Sequence, residues 1–224
     1  MSELPVYERF HSWQGEGIHT GKSAFFIRLH GCPVHCPWCD SAGTWHPEHK
    51  PSHVDRFLPQ ELAEDAFSSG CEIVVITGGE PCIHNLHDLV HELRIRNLPV
   101  HLETCGAFPI KGEMDWITLS PKNLAPPIEE NLTLADEFKI IVENNMSIQH
   151  WAAQIDFTKL GVPTWLHPEW SCSKDHSVLT SITQWVKDHG TPYRAGFQIH
   201  KLFHADTIDQ RSKPEAALCA EPKK

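Results

Sequence analysis

The sequence predicts an α/β fold, an incomplete (partial) TIM-like (β/α) barrel whose sheet is mostly parallel and open on one side. Short runs rich in β-branched and aromatic residues alternate with segments of helical period, and a repeated strand, helix, strand order implies right-handed crossovers onto a parallel sheet. The chain is also short. Its 224 residues fall below the roughly 250 of a complete eight-fold barrel, so the sheet is expected to stop before it closes.

Strands are expected at 24–30, 72–77, 100–104, 116–120, 137–142, 163–167 and 193–200. Between the first two, Pro59 suits a first helical turn, Leu58, Leu62, Ala66 and Phe67 share a face, and Gly70 supplies a stop. Asn85 can cap a second helix running to about Arg96. Val178, Ile182, Trp185 and Val186 form the buried stripe of a third, ending at Gly190. Sheets of this type bind ligands at the carboxyl ends of their strands.

With 40% hydrophobic residues the chain can bury one substantial core. We expect a single domain over 1–204 and a C-terminal extension over 205–224, flexible because it holds few large apolar residues and a charged end. A balance of 29 acidic against 19 basic side chains, net charge −10, without a basic run, argues against nucleic-acid binding. The opening residues lack a basic, apolar leader and no apolar run is long enough to span a bilayer, so a cytoplasmic enzyme without membrane partners is expected. In such a reducing compartment the eight cysteines stay as thiols able to hold metal. Cys71, Cys82, Cys105, Cys172 and Cys219 are scattered and read as small buried or surface residues.

Cys32, Cys36 and Cys39 lie within eight residues, and their number matters more than their proximity. A closed zinc site or a ferredoxin cubane takes four protein ligands, so three thiolates suggest a 4Fe-4S cluster with one open iron. A zinc knuckle completed by His30, His35 or Asp40 is the competing reading. The C-x3-C-x2-C spacing resembles that of the radical S-adenosylmethionine superfamily, which implies a cluster whose free iron chelates S-adenosylmethionine. A second segment agrees. Thr77-Gly78-Gly79-Glu80 ends a predicted strand, where glycines let backbone approach a ligand and a carboxylate can accept from an ammonium group. A strand-end Gly-Gly is by itself usually a turn. With the triplet it resembles the superfamily motif that holds the amino group of S-adenosylmethionine. Ser120 and Lys122 end the fourth predicted strand, where they would reach the same cofactor or simply form a turn.

The N-terminal Gln14-Gly15-Glu16-Gly17 and Arg28, two residues beyond Phe26, offer donors and acceptors suited to an amide-rich heterocycle bearing a carboxylate, or else a polar loop before an edge strand. Together with the triplet, Asp40-Ser41, the Gly-Gly-Glu strand, Glu103-Thr104, Ser120-Pro121-Lys122 and the late Gln198-Ile199-His200-Lys201, this pattern resembles the 7-carboxy-7-deazaguanine synthase family from about Val6 to Phe203. The resemblance implies radical ring contraction of 6-carboxy-5,6,7,8-tetrahydropterin, a lyase reaction of queuosine biosynthesis that depends on Mg2+. It implies cluster ligands Cys32, Cys36 and Cys39; a magnesium ligand at Ser41, with Asp40 either orienting its waters or capping a turn; and S-adenosylmethionine contacts at Thr77, Gly78, Gly79, Glu80, Ser120 and Lys122, with Trp38 and His167 as further candidates. For the pterin it implies Gln14, Gly15, Glu16, Arg28, Gly79, Glu103 and His200. A homodimer served by an electron donor such as flavodoxin or ferredoxin is implied as well.

Three positions depart from the family pattern: Ser41 stands where relatives have Thr, His167 where they have Gln, and the chain continues past Phe203. A glycyl-radical activating enzyme would share the triplet and Gly-Gly-Glu, but has no use for Gln14, Glu16 or His200. A non-catalytic zinc or iron-sulfur module is the third alternative.

Overall fold

The computed structural model describes residues 2–213 and Leu218. The elements follow in the order β1 (Leu4–Trp13), β2 (Ser23–Leu29), β3 (Asp55–Phe57), α1 (Pro59–Ser69), β4 (Ile73–Gly78), α2 (His87–Arg94), β5 (Val100–Thr104), β6 (Trp116–Leu119), α3 (Glu129–Leu134), β7 (Glu137–Val142), α4 (Ser147–Ala152), α5 (Phe157–Leu160), β8 (Thr164–Pro168), α6 (His176–His189), β9 (Tyr193–Ala195) and α7 (Ile199–Leu202). The strands form one open sheet in the spatial order β3-β1-β2-β4-β5-β6-β7-β8-β9. From β2 onward along this order every pairing is parallel; β1 runs antiparallel to both β2 and β3. This is the expected partial barrel.

A period of two divides each strand between two environments. In β2, Phe25, Ile27 and Leu29 are fully buried in a core shared with Leu62, Ala66, Leu89 and Leu93 of α1 and α2, while Phe26 and Arg28 face the barrel interior. In β7, Phe138, Ile140 and Val142 join a second core with Ile148, Trp151, Phe157, Val178 and Ile182, leaving Lys139 and Ile141 inward. The helices are held at their ends as their sequences specify. Glu61 accepts from the Leu58 N–H at 2.7 Å ahead of α1, which closes at left-handed Gly70. Asn85 accepts from the His87 N–H at 3.2 Å, and Asp175 caps α6 through the N–H groups of Ser177 and Val178.

Two strands escape sequence patterning. β1 carries a register shift between Val6 and Glu8, so Val6, Tyr7 and Glu8 are all buried in succession and alternation is lost. β3 is only three residues long. A third difference corrects an expectation: β9 ends at Ala195 instead of running to position 200, and His200 sits on α7. There the Ile199 N–H donates to the Gly15 carbonyl at 3.2 Å, which ties this turn to the β1–β2 loop.

Among the described residues no helix is long and apolar enough to cross a membrane. The segment expected to be loosely packed is tied to β1 over its described part. Ser12 Oγ donates to the Ala205 carbonyl at 3.2 Å, the His11 N–H to Asp209 at 3.0 Å, and Lys213 Nζ to the Tyr7 carbonyl at 2.8 Å. Residues 214–217 and 219–224, Cys219 among them, lie outside the described part.

Candidate active site

At the carboxyl end of the strands lies a cavity of about 220 Å3. It is lined by Cys32, Cys36 and Cys39 on one side and by Gln14, Glu16, Arg28, Glu103 and His200 on the other, with Thr77, Gly78, Gly79, Glu80, Ser120 and Lys122 between. Gly15, Trp38, Asp40 and Ser41 also line it. Of the residues expected from sequence, only His167 lies elsewhere. It is buried beneath the cavity floor, beside a small polar void shared with Gln14, Glu16 and Glu137. A Cβ on Gly196 would meet its ring at 2.3 Å, and its Nδ1 has no hydrogen-bond partner among the described residues. Burial pushes its pKa down to about 4. His167 thus lines this void and not the main cavity.

The cysteine loop follows β2 directly. Backbone amides of Val34 and His35 are directed at the Cys32 thiol, and left-handed His35 (φ 57°) shapes this turn. Cys39 Sγ accepts from the Ser41 N–H and from the Trp45 indole N–H, both at 3.4 Å. Burial raises all three thiols, Cys39 to about 11 with Asp40 adding to the effect. The three sulfurs line one cavity, yet among the described residues no set of three or more His, Cys, Asp or Glu side chains converges on a single metal ion. Thiols spread around a volume and surrounded by N–H donors suit a polynuclear cluster of anionic sulfur better than a closed tetrahedral zinc site. Gly79 completes this wall. A Cβ there would lie 2.3 Å from the Gly31 carbonyl oxygen and 2.7 Å from Cys32 Cβ, so only glycine lets β4 close against the cysteine loop.

Glu80 is occupied by the scaffold. Its buried carboxylate accepts from the Cys82 N–H at 3.0 Å, Thr104 Oγ1 at 2.6 Å and the Cys105 N–H at 2.8 Å, stapling the ends of β4 and β5. Lys122 Nζ donates to the Ser120 carbonyl and hydroxyl at 2.6 Å and lies 5.6 Å from the Trp38 ring centre.

The opposite wall is a charged lattice. Arg28 donates to Glu8 at 2.6 Å and to Ser41 Oγ at 3.0 Å, and Ser41 in turn donates to Asp40 at 3.1 Å. Burial opposes the Arg28 charge, but Glu8 and Asp40 outweigh it and raise its pKa. Glu103 accepts from Gln14 at 3.0 Å and Thr77 at 3.1 Å. Glu16 pairs with Lys139 at 2.5 Å and accepts from Gln198 at 2.6 Å. Burial works against ionised Glu16, and Lys139 prevails, holding the carboxyl well below the usual range; the same pairing raises Lys139. The mouth of the barrel also works against ionised Asp40, yet Lys201, 3.7 Å away, and Arg28 keep its carboxyl low. Gly15 seats His200, whose ring lies where a Cβ would be, 2.2 Å from Nδ1.

Sequence reasoning assigned no role to Trp45, Lys139, Gln198 or Asp206, although all four line the cavity. The signal for Lys139 was present: a cation inside a largely apolar, doubly covered strand must face an interior that pairs it. Trp45 and Asp206 stand at no diagnostic spacing.

An open-sided barrel with a three-thiol loop after its first parallel strand and a Gly-Gly strand end packed against that loop defines a radical S-adenosylmethionine enzyme, and residues 26–141 match the family profile described as the Radical SAM superfamily. Members carry a 4Fe-4S cluster and use S-adenosylmethionine. The chain is 41% identical over 199 residues to a 7-carboxy-7-deazaguanine synthase from Synechocystis sp., covering 88% of this chain and 91% of the relative. Against the enzyme of that name from Flavobacterium psychrophilum it is 36% identical, covering 90% and 92%. The crystal structure of QueE from Escherichia coli superposes with a TM-score of 0.73 at 28% identity, over 87% of this chain and 93% of that one. The chain belongs to the 7-carboxy-7-deazaguanine synthase family of radical S-adenosylmethionine lyases.

Proposed function

We propose that this enzyme converts 6-carboxy-5,6,7,8-tetrahydropterin to 7-carboxy-7-deazaguanine with loss of ammonia. The observation that carries the reading is the set of complementary groups across the cavity from the thiols: a guanidinium at Arg28 and two carboxylates, Glu16 and Glu103, each held by an amide side chain. A pterin carboxylate suits the fork of Arg28, which can bond both oxygens. The guanidine-like edge of the pyrimidine ring presents N–H donors to Glu16 and Glu103. Gln14 and Gln198 fix those acceptors, and Lys139 keeps Glu16 ionised and ready to accept. Burial lowers the His200 pKa, favouring a neutral ring that can donate or accept at the pterin.

The cluster with S-adenosylmethionine supplies the radical chemistry when bound. Cys32, Cys36 and Cys39 would hold the cluster, while Thr77, Gly78, Gly79, Ser120, Lys122 and Trp38 form the wall available to S-adenosylmethionine. Glu80 contributes chiefly by fixing that wall. Ser41 and Asp40 place a hydroxyl and a carboxylate side by side at the cavity edge, a donor set suited to Mg2+, which takes oxygen ligands and keeps waters. The same reading makes the enzyme a cytoplasmic homodimer supplied with electrons by a flavodoxin or ferredoxin, on the strength of the family resemblance.

The test is anaerobic incubation of reconstituted protein with reductant, S-adenosylmethionine, Mg2+ and the carboxytetrahydropterin. Formation of the deazaguanine is expected. Cleavage of S-adenosylmethionine without pterin turnover by an iron-replete enzyme would overturn the substrate assignment.

A further inference from the structure

Trp45 lies six residues beyond the third cysteine, outside every motif considered above, yet its indole N–H points at Cys39 Sγ from 3.4 Å. An indole nitrogen is a donor only, so this contact has one polarity. Among the described residues no other side chain hydrogen-bonds a sulfur of the triplet. The ring is held on several sides. It stacks on His35, with centroids 4.3 Å apart and planes at 15°, and meets the edge of His46 at 5.1 Å. Its backbone continues the 3-10 turn Ala42–Thr44, where the Trp45 N–H donates to the Ala42 carbonyl at 3.0 Å and Thr44 Oγ1 to the Ser41 carbonyl at 2.7 Å. Gly43 in that turn lies against the Tyr7 hydroxyl, 2.2 Å from where a Cβ would stand. The turn therefore aims the donor, and stacking on His35, inside the cysteine loop itself, keeps it aimed.

We propose that Trp45 sets the reduction potential of the cluster through Cys39. Once Cys39 is a thiolate ligand, its sulfur carries negative charge, and one-electron reduction of the cluster adds more. A fixed N–H donor stabilises the reduced state more than the oxidised one, so the hydrogen bond raises the potential. The electron comes from the external reductant; no bond breaks and no proton moves. Trp45 is thus a positioning residue acting through a ligand, in a protein whose chemistry starts with a difficult reduction. The inference needs the cluster but not the pterin assignment, and is tested without substrate.

The experiment is an anaerobic redox titration, followed by electron paramagnetic resonance, of reconstituted wild type and Trp45→Phe with and without S-adenosylmethionine. Phenylalanine keeps an aromatic ring for stacking and deletes the donor. At equal iron content the variant's midpoint is expected at more negative potential, with slower cleavage of S-adenosylmethionine under a weak reductant and recovery under a strong one. An unchanged or more positive midpoint overturns the proposal. Where Trp45→Phe fails to hold the cluster, benzothienylalanine at position 45 decides, since sulfur replaces the N–H in a ring of the same shape. That variant should bind iron normally and titrate low. Cluster loss there as well would assign the N–H to assembly and refute a tuning role.

Discussion

Replacing any one of Cys32, Cys36 or Cys39 by Ala should abolish cluster assembly and activity together, because two thiolates hold a cubane poorly. Cys71 and Cys82 are buried outside the cavity, whereas Cys105 lines it with a thiol that burial and then Glu80 push up: Cys71 Sγ lies 3.5 Å from the Ala66 carbonyl, and burial with Glu80 nearby drives Cys82 up to about 12. Their Ala variants should bind iron as wild type does, and iron and sulfide analysis separates the two groups; an indispensable Cys82 would break the three-ligand argument. At Arg28 the structure sharpens what sequence alone suggested. Arg28→Ala deletes the partner for the pterin carboxylate and also leaves Glu8, only 5% exposed, without its cation. The apparent substrate constant should rise by the equivalent of about 2–3 kcal/mol, with S-adenosylmethionine binding little changed. Arg28→Lys should fall between, since an ammonium keeps charge but lacks the fork. Equal weakening for both ligands would take Arg28 out of the pterin site.

The Glu16–Lys139 pair joins β7 to the β1–β2 loop, and its worth depends on pH in a defined direction. The Glu16 carboxyl is depressed below its ordinary value of 4.5, so its contribution is complete above that pH and is lost as pH falls toward the lower folded value. Lys139, raised above 10.5, contributes fully below that pH and loses its share only as pH rises past it. Stability from the pair should thus be flat between about pH 5 and 10. Lys139→Met leaves an unpaired buried carboxylate and should cost about 3–5 kcal/mol at pH 7. Glu16→Gln with Lys139→Met should recover much of the loss, and denaturant titrations at several pH values measure it; an undisturbed single variant would show that the pair is dispensable. The seven parallel strands were legible as short β-branched or aromatic runs bounded by turn residues, although β9 is shorter than expected, and α1, α2 and α6 because caps and stops flank a periodic stripe; α3, α4, α5 and α7 were not read from sequence. β1 was not, since its bulge buries Glu8 beside Tyr7 and erases alternation. In the site, motif residues were legible by spacing, whereas Lys139 and Trp45 acquire meaning only when the sheet brings their partners within reach. His167, a cofactor candidate on the resemblance alone, lines the small void beneath the floor and not the cavity itself.

At the scale of the whole molecule the question is what the chain beyond Phe203 does for the barrel. Ala205 is buried and Asp206 lines the cavity, so the site extends at least that far. The next residues cross β1 without entering the pocket: Asp209 holds the His11 N–H, Lys213 the Tyr7 carbonyl and Glu8, and Arg211 lies 5.4 Å from the Phe25 ring. Farther on, the Leu218 N–H donates to the Cys39 carbonyl at 2.6 Å. Part-buried hydrogen bonds of this kind contribute about 0.5–1.5 kcal/mol each, and Glu8 keeps Arg28 when Lys213 is gone. Truncation after Lys213 keeps these β1 contacts and removes, among the described residues, only the Leu218–Cys39 hydrogen bond, so melting temperature, iron content and turnover should stay close to those of the full chain. Truncation after Asp206 removes the β1 contacts as well and should lower the melting temperature by several degrees, on the scale of about 2–4 °C per kcal/mol, while turnover persists. Thermal melts, iron analysis and pterin turnover on both truncations distinguish a strap from a pocket wall. A folded, iron-replete protein ending at Asp206 that no longer turns over pterin would show that residues beyond the cavity position Arg28 through Glu8, and that the extension belongs to the catalytic machinery.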